Sequence, residues 1–132
     1  MKTNILGIFM AIWGLLTFNS CAEGQQSKGE NLDAAQFKAV IEKGNVSLLD
    51  VRTPGEFGAG YIEGATNIDW YAGDFKERVA KLDKAKPVYI YCASGGRSSS
   101  ALSTMKALGF KEVYHLQGGM GAWRKAGYPV KK

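Results

Sequence analysis

Cysteine, histidine and clustered charge are all scarce in this sequence of 132 residues. Its net charge of +5 is mild, and the 17 basic residues are scattered, which is typical of a solvated surface. A nucleic-acid-binding face needs a basic stripe, and none is present. The sequence has no internal repeat and no P-loop, and its glycines at 58, 60 and 64 only approach a dinucleotide-binding spacing. Nucleic-acid and nucleotide binding are therefore not predicted.

The N-terminus has the pattern of an export signal. Lys2 precedes an apolar run over residues 5–18, and the small polar residues Asn19 and Ser20 follow it. The run is too short to span a bilayer comfortably, because a spanning helix needs about 20 apolar residues. We therefore predict that residues 1–21 are a signal segment outside the folded domain.

Cys21 lies where a bacterial lipoprotein signal places its lipidated cysteine. The segment resembles the lipobox in having a small residue, Ser20, before the cysteine, although Phe18 stands where leucine is usual. Ordinary cleavage nearby and an uncleaved anchor are the alternatives. We expect lipidation at Cys21, a polar tether over residues 22–31 and one domain over residues 32–132. The protein would then be exported to the periplasm or cell envelope, and only its anchor would contact the membrane.

Cys92 is the second of the two cysteines. If Cys21 is lipidated or removed, Cys92 has no partner for an intrachain disulfide. A lone thiol in an oxidising compartment is unusual, since exported proteins commonly pair their cysteines. Cys92 is therefore a candidate for a reactive thiol.

Helical and strand patterns alternate from residue 33 onward, and a helix capped by Asp33 comes first. Alternation of this kind indicates right-handed crossovers and a mainly parallel sheet. We predict an α/β fold, a small three-layer domain with helices on both faces of the sheet. The predicted strands are residues 46–51, 65–68, 88–91 and 112–116. The predicted helices begin near residues 34, 54, 75, 98 and 118.

The segment around Cys92 has the features of a nucleophile site. The predicted strand 88–91 ends directly before Cys92, and a helix is predicted from about Ser98. Glycines between them free the backbone to curl, so that its N–H groups can converge on an anion. The helix N-terminus and the cation of Arg97 also favour a thiolate. The loop predicted to cradle that anion consists of Ala93, Ser94, Gly95, Gly96 and Arg97.

Three stretches resemble the signatures of the rhodanese family. CASGGRS, which begins at Cys92, is similar to the family's active-site loop, Cys-x-x-Gly-x-Arg-Ser. LLDVRTPGEFGAGYIEGATNID and LQGGMGAWRKAGYPV resemble its first and C-terminal signatures, and together the three cover roughly residues 32–130. Two departures are Tyr61, where the family often has histidine, and Phe57, where tyrosine is frequent.

The resemblance implies a small parallel α/β fold and a two-step sulfur transfer. The Cys92 thiolate attacks a small sulfur anion, such as thiosulfate or polysulfide, and a thiol or cyanide then takes the sulfur from the persulfide. No metal and no organic cofactor is required. Arg97 is expected to orient the loop and attract the donor, with Asp50, Arg52 and Ser98 in supporting roles.

Three alternatives stay open on the sequence. A phosphatase or arsenate reductase resembles Cys-x5-Arg, whereas Cys92 and Arg97 are separated by four residues, and the smaller ring favours a sulfane sulfur. A persulfide carrier or partner-binding module with little turnover is compatible with the same cysteine. The one histidine, His115, lies near the end of the last predicted strand and is a candidate base, but a packed or surface histidine is favoured.

Overall fold

The computed structural model describes residues 30–132. The predicted signal segment, the predicted lipidation site at Cys21 and nearly all of the predicted tether lie outside the described residues. In the described part, strands and helices alternate along the chain, and the predicted α/β class is confirmed. No helix in this part is long and apolar enough to cross a bilayer.

Five parallel strands form one sheet in the order β1-β5-β4-β2-β3. The strands are β1 (Asn31–Leu32), β2 (Ser47–Asp50), β3 (Thr66–Asn67), β4 (Val88–Tyr91) and β5 (Val113–Leu116). The helices are α1 (Ala34–Glu42), α2 (Pro54–Ala59), α3 (Phe75–Val79), α4 (Gly96–Ala107) and α5 (Gly119–Lys125). Because parallel strands need crossovers, the helices cover the sheet on both faces.

The central strand β4 divides the core into two layers. Val88 and Ile90 pack on one face with residues of α3 and α4, and Tyr89 and Tyr91 pack on the other with residues of α1 and α5. This follows from the alternation of side chains along a strand, and all four residues are buried. Cys92 continues the alternation and joins the layer on the α4 side. The fold therefore places the thiol at the carboxyl end of its central strand, beneath α4.

One unpredicted strand and one helix start differ from the sequence prediction by more than a single residue. β1 was not predicted, and it begins at Asn31, one residue inside the predicted tether, where it pairs with His115 of β5. A strand of two residues is too short to show a period in the sequence. Helix α4 begins at Gly96 rather than near Ser98, because Gly95 adopts the left-handed conformation that turns the chain into the helix.

Candidate active site

Cys92 lies directly after β4 and is buried, with 1% of its surface exposed. The backbone N–H of Gly95 donates to its Sγ at 3.0 Å. Gly95 has φ 105°, and a Cβ there would lie 3.3 Å from the backbone nitrogen of Gly118. Glycine is the residue that adopts this positive φ without strain and leaves room for the Gly118 backbone, so Gly95 permits the tight turn around the sulfur.

The surroundings lower the pKa of the Cys92 thiol. Burial raises the pKa, because a thiolate is poorly solvated in the interior, but hydrogen bonds to the sulfur outweigh it. These bonds come from the hydroxyl of Ser98 and from the backbone N–H groups of Ser98, Gly95 and Ser94. Donors that converge on a sulfur favour its anionic form, so Cys92 is suited to act as a nucleophile.

The start of α5 holds the loop from its other side. The N–H of Met120 donates to the carbonyl oxygen of Cys92 at 2.8 Å, and the N–H of Gly121 donates to that of Ala93 at 3.1 Å. Gly119 makes this approach possible, since it has φ +56° and a Cβ there would lie 2.4 Å from the Cys92 oxygen. The Gly118–Gly119 pair at the start of α5 is therefore part of the site, because the backbone of Gly119 lies against the loop.

Arg97 is bound at both ends of its guanidinium to Glu56 of α2. Its Nη1 and Nη2 lie 2.7 and 2.9 Å from the two carboxylate oxygens. Thr53 forms a capping box with Glu56, and this fixes the carboxylate at the start of α2. The hydrogen bond from Arg97 lowers the pKa of Glu56 from 4.5 to about 2. The guanidinium also lies over the exposed ring of Tyr71, 5.5 Å from its centroid.

This arrangement bears on the two roles predicted for Arg97. The salt bridge ties the first turn of α4 to α2, and the role of Arg97 in orienting the loop stays a prediction. Much of the cationic charge is also balanced by Glu56, so attraction of a donor anion stays a prediction.

Ser98 links the sulfur to the only histidine of the sequence. Its Oγ lies 3.5 Å from Cys92 Sγ, 3.1 Å from the carbonyl oxygen of Gly95 and 3.0 Å from Nδ1 of His115. The other ring nitrogen, Nε2, lies 2.6 Å from Oδ1 of Asn31. Burial lowers the pKa of His115. This histidine is packed, as favoured from the sequence, and it also reaches the nucleophile through one hydroxyl group.

Asp50 and Arg52 form a buried ion pair at the end of β2. Arg52 Nη2 lies 2.7 Å from Oδ2 of Asp50 and donates to the carbonyl oxygen of Gly60 at 2.6 Å. These side-chain bonds run within the pair and to Gly60 rather than to residues 93–97, so a role of the pair in holding the loop stays a prediction. The Arg52 guanidinium also lies 5.6 Å from the ring centroid of Tyr91, the residue before Cys92.

The structure thus gathers Cys92, residues 93–97 and Ser98 into one site and places Asp50 and Arg52 beside it. Sequence reasoning did not single out Asn31, Tyr71 or Met120, which reach the site from other elements. Glu56 was present only as the acidic residue of the first signature. In residues 30–132, no three His, Cys, Asp or Glu side chains are grouped as metal ligands.

Comparison with known proteins finds relatives that have sulfurtransferase in their names. A protein of Allochromatium vinosum named sulfurtransferase is 35% identical over 86 residues, covering 65% of this chain and 78% of its own. The probable adenylyltransferase/sulfurtransferase MoeZ of Mycobacterium tuberculosis is 35% identical over 106 residues, or 80% of this chain. This chain spans only 27% of the length of MoeZ.

A solved structure shows the same fold. The crystal structure of a rhodanese-related protein from Thermoplasma volcanium superposes with a TM-score of 0.69 at 31% identity, covering 76% of this chain and 96% of that one. Residues 33–126 match the family model described as the rhodanese-like domain, and this match contains both the loop that follows Cys92 and the glycine pair packed against it. The chain therefore belongs to the rhodanese-like domain family.

Proposed function

We propose that this protein transfers a sulfane sulfur from thiosulfate, or a related anion such as polysulfide, to a thiol or cyanide acceptor through a persulfide on Cys92. The observation that carries the proposal is the convergence of hydrogen-bond donors on one sulfur. The N–H of Gly95 lies 3.0 Å from Sγ, and the surroundings lower the pKa of the thiol. A donor cradle of this kind stabilises a sulfur anion without a metal or cofactor.

The transfer has two displacement steps. The Cys92 thiolate attacks the outer sulfur of thiosulfate, a new S–S bond forms, and sulfite leaves with the electron pair of the bond that breaks. The same N–H groups then face the charge of the persulfide. An acceptor such as cyanide attacks the outer sulfur, the Cys92 S–S bond breaks, and thiocyanate leaves while the thiolate is restored. Splitting the transfer through a covalent intermediate is ordinary nucleophilic catalysis.

The relatives support the sulfur-transfer class but do not name a donor. One is named a sulfurtransferase, and the other combines adenylyltransferase and sulfurtransferase in its name. The spacing of the loop supports the same class over phosphoryl transfer, because Gly95 closes a tight turn directly against the sulfur.

Intact mass tests the proposal. The full-length chain carrying Cys21→Ser, so that Cys92 is its one thiol, is incubated with thiosulfate beside the same chain with Cys92→Ser. We expect a gain of one sulfur in the chain that keeps Cys92 and none in its control. No gain with thiosulfate or polysulfide would overturn the proposal. A stable gain that cyanide and small thiols do not remove would identify a persulfide carrier instead.

We also propose export and lipid anchoring at Cys21. The support is the sequence alone: an apolar run over residues 5–18 followed by a small residue and a cysteine. Radiolabelled fatty acid, fed to cells that express the chain, should label the wild type and not Cys21→Ser. Equal absence of label in both would contradict the anchor.

A further inference from the structure

A chain of hydrogen bonds runs from Cys92 through Ser98 to His115. Ser98 Oγ lies 3.5 Å from the sulfur and 3.0 Å from Nδ1 of the imidazole. We propose that it is a proton relay, in which neutral His115 takes the thiol proton of Cys92 through the hydroxyl of Ser98. The relay rests on the proposed function, because it assigns how that nucleophile is ionised.

Asn31 sets the direction of the relay. Its side-chain oxygen lies 2.6 Å from Nε2 of His115, and an amide oxygen can only accept a hydrogen bond. In the neutral ring Nε2 therefore carries the hydrogen, and Nδ1 offers its lone pair to Ser98. The Ser98 hydroxyl donates to that lone pair, and its oxygen remains free to accept from the thiol of Cys92. The outer partner of the ring thus fixes the tautomer that a relay needs.

Ionisation reverses the hydrogen bonds of the relay without breaking the chain. The thiol proton of Cys92 moves to Oγ of Ser98 while the hydroxyl proton of Ser98 moves to Nδ1 of His115. The products are a thiolate, a neutral serine and an imidazolium, so protons and charge balance with no further reactant. Ser98 then donates to the thiolate, and Nδ1–H donates to Ser98. When the persulfide has given up its sulfur, the proton returns to Cys92 by the same path.

The relay is shielded from water and from unbalanced charge. Ser98 is fully buried, and His115 is 6% exposed. The charged residues of α4 are both paired: Lys106 pairs with Glu30, before β1, and Arg97 pairs with Glu56. At the end of β4 the titratable group that faces Ser98 is Cys92 itself. Burial lowers the pKa of His115, so the ring is neutral and able to accept a proton at rest.

Nitrogen NMR of the imidazole is the first test. An untagged full-length chain with Cys21→Ser gives one histidine signal, because His115 is the only histidine of the sequence. We expect the Nε2–H tautomer, with a second inflection in the titration when Cys92 ionises and no such inflection in Cys92→Ser. The Nδ1–H tautomer would overturn the relay, because the Ser98 hydroxyl would then donate to its competing acceptor, the Gly95 carbonyl at 3.1 Å. Identical titration curves of His115 in the chain that keeps Cys92 and in Cys92→Ser would also overturn the relay.

Ultraviolet titration of the thiolate is the second test, with Cys92→Ser as the baseline. His115→Asn keeps a polar group near Nδ1 but does not titrate. We expect it to raise the midpoint of Cys92 ionisation by about one pH unit, which lowers the thiolate fraction and the sulfur-transfer rate about tenfold at pH values well below the midpoint. A merely structural role would alter unfolding and leave the midpoint in place, and that outcome overturns the relay.

Variants of Ser98 serve as controls. Ser98→Ala should raise the midpoint as His115→Asn does, and Ser98→Thr should restore it by restoring the hydroxyl. The two proposals fail separately. A raised midpoint in a protein that takes up no sulfur would keep the relay and overturn the sulfurtransferase. Normal sulfur uptake together with an unchanged midpoint of Cys92 ionisation in His115→Asn would keep the sulfurtransferase and overturn the relay.

Discussion

Glu56 and Arg97, 41 positions apart in sequence, are joined by two parallel hydrogen bonds of 2.7 and 2.9 Å. The capping box of α2 also holds Glu56, so its carboxylate has a second set of contacts besides the guanidinium. Two-point pairs of this kind add directional specificity to charge attraction. The bridge therefore sets the position of α4, whose first turn carries Arg97 and Ser98, relative to α2.

We expect Glu56→Gln to weaken folding at neutral pH and to have no effect in strong acid. The pKa of Glu56 is about 2 in the folded protein and 4.5 ordinarily, so its stabilising contribution is complete above pH 4.5 and is lost as the pH falls toward 2. Because the side chain is one-third exposed, the cost at pH 7 should be about 1 kcal/mol. Urea unfolding across this pH range measures it. A constant difference at all pH values would contradict the prediction, and Glu63→Gln at an exposed bridge is the matched control.

Gly119→Ala should destabilise the protein by about 2 kcal/mol or more. The new Cβ would lie 2.4 Å from the carbonyl oxygen of Cys92, at a φ of +56° that side chains rarely adopt. Since the loop must shift to relieve this contact, sulfur uptake should fall as well. Gly121→Ala is the control, because its Cβ would meet the Ala93 oxygen at an ordinary 3.7 Å. Chemical unfolding measures the stability of both variants. Equal stability would refute the role of Gly119 in the close approach of α5 to the loop.

Asp50→Asn should cost about 3 kcal/mol, because it leaves the guanidinium of Arg52 buried without its counter-charge. The exposed pair of Lys38 and Glu42 is the control, and Glu42→Gln should cost under about 1 kcal/mol. Thermal and urea unfolding give both values. Equal losses of stability for the two substitutions would contradict the prediction that burial makes the Asp50–Arg52 pair more costly to break.

Local sequence was enough to predict the position of Cys92 in the fold and the fold class. The strand VYIY, the glycines after it and the helix that follows are neighbours in the chain, so their pattern places Cys92 at a strand end facing a helix start. Conformational freedom at Gly95 is likewise a property of one residue. These features follow from local backbone geometry, which a sequence displays directly.

Tertiary structure decided which distant groups surround the sulfur. The contact of His115 with Asn31 joins residues 84 positions apart and exists because β1 pairs with β5 at the edge of the sheet. The strand order β1-β5-β4-β2-β3 likewise brings Glu56 to Arg97 across the sheet end. Hydrophobic periodicity reports which face of an element is buried and not which element covers it, so the sequence alone predicted where Cys92 lies but not the distant residues that surround it.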